Sequence, residues 1–175
     1  MICIFDTETT GLVRNTVKSL DKQPKITELA MIFLDDDLVE IARFESFFNV
    51  GEKLDEKIVK ITSITDEMLA DAPKFSEKAD EIRQLIERCG VIVAHNLSFD
   101  AQMLRFEFER CGIELTWPRM HCTIEATEHW HGYRLNQTAL YDELFNETFE
   151  GAHRAINDVE ALVRIYVELK KRKEL

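Results

Sequence analysis

Two acidic residues near the start of the chain have the spacing of a metal site. Asp6 and Glu8 lie two residues apart and follow a short apolar run, Ile2–Phe5. Residues two apart on a β-strand point to the same face, so both carboxylates project from one side of a strand end. Neighbouring carboxylates repel each other unless a cation lies between them, and hard divalent ions such as Mg²⁺ prefer such oxygen ligands. The pair therefore indicates either a metal site or a solvated strand end in an acid-rich protein.

The residues that follow this pair form a candidate ligand-binding loop. Gly11 permits close backbone approach, so the amides of the loop around it can face a ligand. Leu12 offers an apolar edge that can wedge against a base. The alternative is a plain turn after a strand, with Leu12 packed in the core.

A third carboxylate, Asp100, follows an apolar run and a polar loop. The run is Val91–Ala94, and the loop contains His95, Asn96 and Phe99. A strand, loop and helix in this order place Asp100 near a helix start, at the carboxyl end of the strand, where open α/β sheets bind ligands. The alternative is that Asp100 only stabilises the helix dipole, with Asn96 in a turn and Phe99 in the core.

The last candidate pair is His153 and Asp158. Five residues separate them, which places them about 140° apart around a continuous helix. They can converge only if His153 lies on a loop before the helix, and Gly151 makes such a loop plausible. The alternative is a surface histidine with Asp158 paired to Arg154, four residues earlier.

The elements that must position these residues form an α/β pattern. Strands are predicted at Met1–Phe5, Ile26–Leu34, Leu38–Asn49, Val91–Ala94 and near Arg119–Cys122. Helices are predicted as short turns over residues 54–72, at Ser76–Arg88, at Asp100–Cys111, near Thr123–His131, near Asn136–Phe145 and from about Ala155. Strands first, followed by alternating strands and helices, predict an α/β fold with a mixed sheet. No linker or repeat interrupts the pattern, so residues 1–175 are predicted to form one domain.

Composition excludes several classes of protein. The 45% hydrophobic and 31% charged residues are typical of a soluble globular protein. We find no signal peptide and no apolar run of the roughly 20 residues that a membrane helix needs, which predicts a cytoplasmic protein without membrane contact. The four cysteines form no CxxC pair, which favours reduced thiols over a disulfide framework or a zinc ribbon. The net charge of −11 argues against a large basic footprint, and two divalent cations would bring it to −7.

Three sequence blocks together resemble a known family. Phe5–Leu12, Ala94–Asp100 and His153–Asp158 resemble the three motifs of the DEDDh (DnaQ-like) 3′→5′ exonuclease family, which includes the proofreading subunit of bacterial DNA polymerase III. Their order and spacing match over nearly the whole chain. Between them, Ile61–Asp66 is similar to the family's segment that contacts the substrate strand, although Thr62-Ser63 stands where relatives often have histidine or glycine.

The resemblance implies a fold, a metal centre and a set of binding residues. The fold is a ribonuclease H-like, mixed five-stranded sheet flanked by helices. Asp6, Glu8, Asp100 and Asp158 would hold two Mg²⁺ or Mn²⁺ ions, and His153 would deprotonate the attacking water. Two-ion phosphodiester cleavage and a histidine base agree with this set of residues. The nucleic-acid contacts expected from the same match are Thr7, Thr9, Leu12, Thr62, His95, Asn96 and Phe99.

The resemblance leaves the substrate open. We expect removal of nucleoside monophosphates from the 3′ end of single-stranded DNA, in proofreading or repair. An exoribonuclease is an alternative, because the motifs address a 3′ end rather than a sugar. A second alternative is a non-catalytic module that binds 3′ ends. A DNA polymerase is an open candidate for a partner, and a monomer is the default expectation.

Overall fold

A five-stranded sheet lies at the centre of the computed structural model, which describes residues 1–175. Its strands run in the order β3-β2-β1-β4-β5. They span Ile2–Thr9 (β1), Ile26–Leu34 (β2), Glu40–Phe47 (β3), Val91–Ala94 (β4) and Arg119–Cys122 (β5). β3, β2 and β1 are antiparallel neighbours, whereas β1, β4 and β5 are parallel. The predicted mixed five-stranded sheet is therefore confirmed.

Helices cover both faces of this sheet. They span Glu56–Thr62 (α1), Asp66–Ala70 (α2), Phe75–Glu87 (α3), Leu97–Arg110 (α4), Thr123–Thr127 (α5), Gln137–Phe145 (α6) and Ala155–Arg172 (α7). Short 3-10 turns lie at Leu20–Lys22 and Glu128–Trp130. One apolar cluster packs α3 and α4 on one face, and a second packs α6 and α7 on the other. None of the helices has the length and apolar character that crossing a membrane requires.

Burial on both faces explains why the central strands are apolar. In β1, Cys3 and Phe5 belong to the cluster that includes α3 and α4, whereas Ile4 belongs to the cluster that includes α6 and α7. Strands covered on both sides are apolar at almost every position. All nine residues of β2 are buried, including the one charged residue among them, Glu28.

The first strand is longer than predicted. The prediction ended it at Phe5, but its pairing with β2 continues past Glu8 to Thr9, where the register shifts. Polar side chains do not stop a strand whose backbone still has a partner to pair with. Asp6 and Glu8 therefore lie inside β1, and the alternation of a strand still directs them to one face.

Several other predicted boundaries also differ from the structure. β3 begins at Glu40 rather than Leu38, because Leu38 has a left-handed backbone (φ 64°) in the turn before it. α4 begins at Leu97, which puts Asp100 on the fourth residue of the helix rather than at its start. The helix predicted near Thr123–His131 divides into α5 and a 3-10 turn, and Gly132, with φ 73°, ends the segment.

Candidate active site

The catalytic candidates meet at one edge of the sheet. β1 and β4 run parallel, so the carboxylates near the end of β1 lie beside the loop that leads from β4 into α4. α7 begins at the same edge and carries Asp158 in its first turn. These elements enclose a cleft of about 480 Å³. The predicted residues that line it are Asp6, Thr7, Glu8, Leu12, His95, Asn96, Phe99, Asp100, His153 and Asp158.

Three of the four carboxylates form a compact group. One side-chain oxygen from each of Asp6, Glu8 and Asp158 lies within 4.8 Å of the others. Asp100, the fourth carboxylate, lines the same cleft. Its Oδ1 accepts hydrogen bonds from the Thr7 N–H (3.2 Å) and the Thr7 hydroxyl (2.6 Å). Carboxylate oxygens at this spacing suit a divalent cation.

The electrostatics of the cleft also favour a cation. Burial, followed by repulsion from neighbouring carboxylates, raises the pKa of Glu8 to about 8 and the pKa of Asp6 well above its ordinary value. Burial raises the pKa of Asp100 to about 7 and that of Asp158 to about 6, although hydrogen bonds from Thr7 and His153 partly oppose these shifts. A divalent ion would remove the repulsion and stabilise the ionised carboxylates.

His153 lies on the loop before α7, as the spacing requires. Its backbone is left-handed, with φ 68°, and its N–H donates to Asp158 Oδ2 at 2.8 Å. The geometric prediction that His153 is off the helix of Asp158 is therefore confirmed. The side chain of His153 is exposed at the cleft.

Gly151 is required for the shape of this loop. Its φ is 73°, and a Cβ at this position would lie 2.3 Å from Asn157 Nδ2. The Asn157 amide instead donates to the Gly151 carbonyl oxygen at 2.9 Å. The first turn of α7 thus fixes the loop that carries His153.

A half-buried ion pair that was not predicted from the sequence anchors the same loop. Glu28 is fully buried and accepts hydrogen bonds from the Arg154 guanidinium at 3.0–3.3 Å and from the Ala155 N–H at 3.0 Å. The suggested pairing of Arg154 with Asp158 was wrong, because Arg154 turns to Glu28 instead. Glu28 thereby takes the place of a helix cap at the start of α7. A single acid inside the apolar run of β2 was the available signal.

His95 is held by protein groups on both ring nitrogens. Nε2 lies 3.1 Å from the Leu135 carbonyl oxygen, so Nε2 donates, and Nδ1 then accepts from the Thr123 hydroxyl at 2.9 Å. Burial lowers the pKa of His95 to about 4, which keeps the ring neutral. His95 therefore connects β4 to the segment before α6, and only 8% of it is exposed.

Two of the predicted contact residues do not line the cleft. Thr9 is buried and its hydroxyl donates to the Gly11 carbonyl at 2.8 Å. Thr62 is buried at the end of α1, and its hydroxyl donates to the Ile58 carbonyl at 3.0 Å. Leu12, in contrast, is 79% exposed at the cleft rather than packed in the core.

Comparison with known proteins identifies the family. The family model RNase_T, described as Exonuclease, matches residues 3–166. The chain belongs to this exonuclease family. The chain is also similar to the PolC-type DNA polymerase III of Staphylococcus haemolyticus (strain JCSC1435), with 34% identity over 172 residues. That match covers 95% of this chain but spans only 11% of the polymerase.

Solved structures share the fold of this chain. Escherichia coli exonuclease I in complex with a dT13 oligonucleotide matches with a TM-score of 0.80 and 17% identity, over 98% of this chain and 41% of that one. The nuclease domain of 3′hExo, a DEDDh family member bound to rAMP, matches with a TM-score of 0.76 and 14% identity, over 98% of this chain and 92% of that one. The ribonuclease H-like fold expected from the motifs is confirmed.

Proposed function

We propose that the exonuclease is a metal-dependent 3′→5′ enzyme that releases nucleoside monophosphates, with single-stranded DNA as its favoured substrate. The observation that carries this proposal is the group of Asp6, Glu8 and Asp158 oxygens within 4.8 Å, beside the loop of His153. We further propose that residues 1–175 act as one exonuclease domain.

The metal centre would draw its ligands from four carboxylates. Asp6, Glu8 and Asp158 supply oxygens directly, and Asp100 is held towards the same cleft by Thr7. When bound, two Mg²⁺ or Mn²⁺ ions neutralise charge at the scissile phosphate and acidify a water molecule. The carboxylate cluster thus makes an anionic substrate compatible with a chain whose net charge is −11.

His153 has the position that a general base needs. Its backbone is fixed by Asp158, so the imidazole is kept at the cleft without using its own nitrogens for support. A histidine in such a position can accept the proton of the attacking water. On the other side of the cleft, the exposed Leu12 and the half-buried Phe99 offer apolar surface for the terminal base.

The choice of DNA rests on the relatives. One relative is a DNA polymerase III of PolC type, and one solved neighbour holds a dT13 oligonucleotide. Another neighbour is bound to rAMP, so RNA is the second candidate substrate. A polymerase partner, or a polymerase chain that contains this domain, is part of the proposal because the matched relative is itself a polymerase.

A trimming assay with end-labelled strands tests the proposal. DNA and RNA strands of the same sequence, labelled at the 5′ end, are incubated with Mg²⁺, with Mn²⁺ or with EDTA. We expect a descending ladder from the DNA strand, free nucleoside monophosphates, and no products in EDTA. Faster loss of the RNA strand would assign an exoribonuclease. If the protein binds the strand but releases no product with either Mg²⁺ or Mn²⁺, it is a non-catalytic module that binds 3′ ends.

A further inference from the structure

The loop between β1 and β2 has the opposite charge to the rest of the chain. Residues 10–25 contain four basic residues and one acidic residue, a net of +3 in a protein of net −11. One of the four, Lys25, pairs with Glu52. The other three, Arg14, Lys18 and Lys22, are exposed and form no ion pair. Their charge is therefore available to an anionic partner.

A second groove lies between this loop and α4, next to the active-site cleft. It has a volume of about 470 Å³ and shares Phe99 with the cleft. Phe99 and Phe106, both half-buried, give it an aromatic wall, and Gln102 adds an amide. Arg14 lies on the opposite, loop side. Aromatic surface beside a cation is the combination that proteins use to bind single strands.

The loop is held in a defined shape rather than left to solvent. The buried Gln23 side chain donates to the carbonyl oxygens of Arg14 (3.0 Å) and Val17 (2.6 Å) and accepts from the Arg14 N–H at 3.0 Å. Arg110 of α4 donates to three carbonyl oxygens of residues 20–24, at 2.9–3.0 Å. Because these bonds fix the backbone beside the groove, binding there costs little ordering of the loop.

We propose that this groove and the three free cations bind the part of the strand that lies upstream of the 3′ nucleotide. The proposal rests on the exonuclease function proposed above and adds a binding site to it. Upstream bases would stack on Phe106, with Phe99 between them and the terminal base. Arg14 at the groove, and Lys18 and Lys22 farther along the same loop, would contact phosphates. Phe99 borders both the cleft and the groove, so a strand that leaves the cleft past Phe99 would enter the groove.

A charge-reversal variant tests this site without touching the catalytic cleft. The test variant is Arg14→Glu/Lys18→Glu/Lys22→Glu. The matched control is Arg88→Glu/Arg119→Glu/Lys173→Glu, which changes the net charge by the same amount. These three exposed residues lie just after α3, at the start of β5 and just after α7. Two substrates are compared: an oligothymidylate of about 20 nucleotides, and the p-nitrophenyl ester of thymidine 5′-monophosphate, which is too short to reach the groove.

The expected result separates the two substrates. Three phosphate contacts on a single strand predict a KM for the oligomer raised about tenfold in the test variant at about 50 mM salt, with a weaker salt dependence than wild type. Hydrolysis of the small ester, and both reactions of the control variant, should stay at wild-type rates. An unchanged oligomer KM in the test variant would overturn this site, and so would an equal loss in the control. If wild-type protein trims no oligomer at all, the proposed function itself fails.

Discussion

The backbone N–H of His153 donates a hydrogen bond to Asp158 Oδ2 at 2.8 Å, which ties the loop before α7 to the first turn of that helix. The left-handed backbone of His153 (φ 68°) makes this contact possible across five residues. Because the main chain forms the bond, the imidazole is free to face the cleft. The residue can therefore lose its side chain without losing the tether.

Replacement of His153 should separate catalysis from folding. Asparagine tolerates a left-handed backbone, so His153→Asn keeps the loop and the N–H bond to Asp158. We expect the single-turnover rate on a labelled strand to fall by about 100-fold or more, the usual contribution of a general base. The melting temperature should match that of wild type. A rate within a few-fold of wild type would exclude His153 as the base.

Neutralising the half-buried carboxylate of Asp6 should stabilise the metal-free protein. Asp6 is surrounded by carboxylates, and burial and repulsion raise its pKa. Asp6→Asn in EDTA at about pH 8 should therefore raise the melting temperature by about 2–4 °C, the shift that about 1 kcal/mol produces in a domain of this size. The exposed Asp37→Asn is the control and should change nothing.

In Mg²⁺, wild type should become more stable than Asp6→Asn. A ligand at about 100 times its Kd stabilises the native state by about 2.7 kcal/mol. Wild type should gain this stabilisation, whereas Asp6→Asn should gain much less because a ligand is missing. Equal gains in the two proteins, measured by thermal denaturation with and without Mg²⁺, would show that Asp6 binds no ion.

The metal-free protein should lose stability as pH rises. The folded protein retains protons on Glu8 (pKa about 8) and Asp100 (pKa about 7) that an unfolded chain releases near pH 4, so increasing pH favours unfolding through this window. His95 acts in the opposite direction: its pKa of about 4 lies below the ordinary 6.5, so its contribution is lost as pH falls below 6.5. The carboxylate effect is therefore isolated between pH 6.5 and about 8.

This pH effect is measured as unfolding free energy in urea between pH 6.5 and 8. We expect a steady decrease in EDTA and a much flatter profile in saturating Mg²⁺, because the ion keeps the carboxylates ionised in the native state. The Glu8→Gln variant lacks the carboxyl group whose pKa is about 8, so it should show a smaller decrease in EDTA. A wild-type profile that rises with pH in EDTA would contradict the electrostatics described here.

The Glu28–Arg154 pair should act on catalysis through the position of the His153 loop. Glu28→Gln keeps an acceptor for the Ala155 N–H but removes the charge that holds Arg154. We expect kcat to fall about tenfold, within the range for residues that orient metal ligands, and the Mg²⁺ requirement to increase. The KM for a short strand should change little, since neither residue lines the cleft.

The control for this prediction is another acid–arginine pair in the same sheet. Glu40→Gln removes the same charge from an exposed pair with Arg43 on β3, and we expect wild-type kinetics. A second comparison uses Arg154→Gln, Glu28→Gln and the double variant. The double variant should be no slower than the slower of the two single variants, because Glu28 and Arg154 act together as one ion pair. Additive losses would mean that the two residues act independently.

Much of the fold could be predicted because its strongest signals are local. The bounds of β2 and β4 and the start of α7 agree with the periodicity of the sequence. The end of β1 does not agree with the local pattern. Its polar residues remain in the strand only because they pair with β2, and no local pattern indicates that pairing. Tertiary pairing there overrides the local preference for a turn.

The same distinction applies to the site. Strand alternation predicted that Asp6 and Glu8 share a face, whereas only the resemblance to the family implied that Asp158 joins them. The support that Glu28 gives to the His153 loop could not be predicted, because its partner Arg154 is 126 residues away in the chain. A buried charge in an apolar run signals that a partner exists, but only the fold says which one.

The most direct test of the central claim is single-turnover trimming of a 5′-labelled DNA strand by wild-type protein and by Asp158→Asn, each titrated with Mg²⁺. We expect wild type to shorten the strand from its 3′ end in proportion to bound Mg²⁺. Asp158→Asn should remain folded but should not shorten the strand at any Mg²⁺ concentration. Trimming by Asp158→Asn at the wild-type rate, or trimming by wild type in EDTA, would contradict the account.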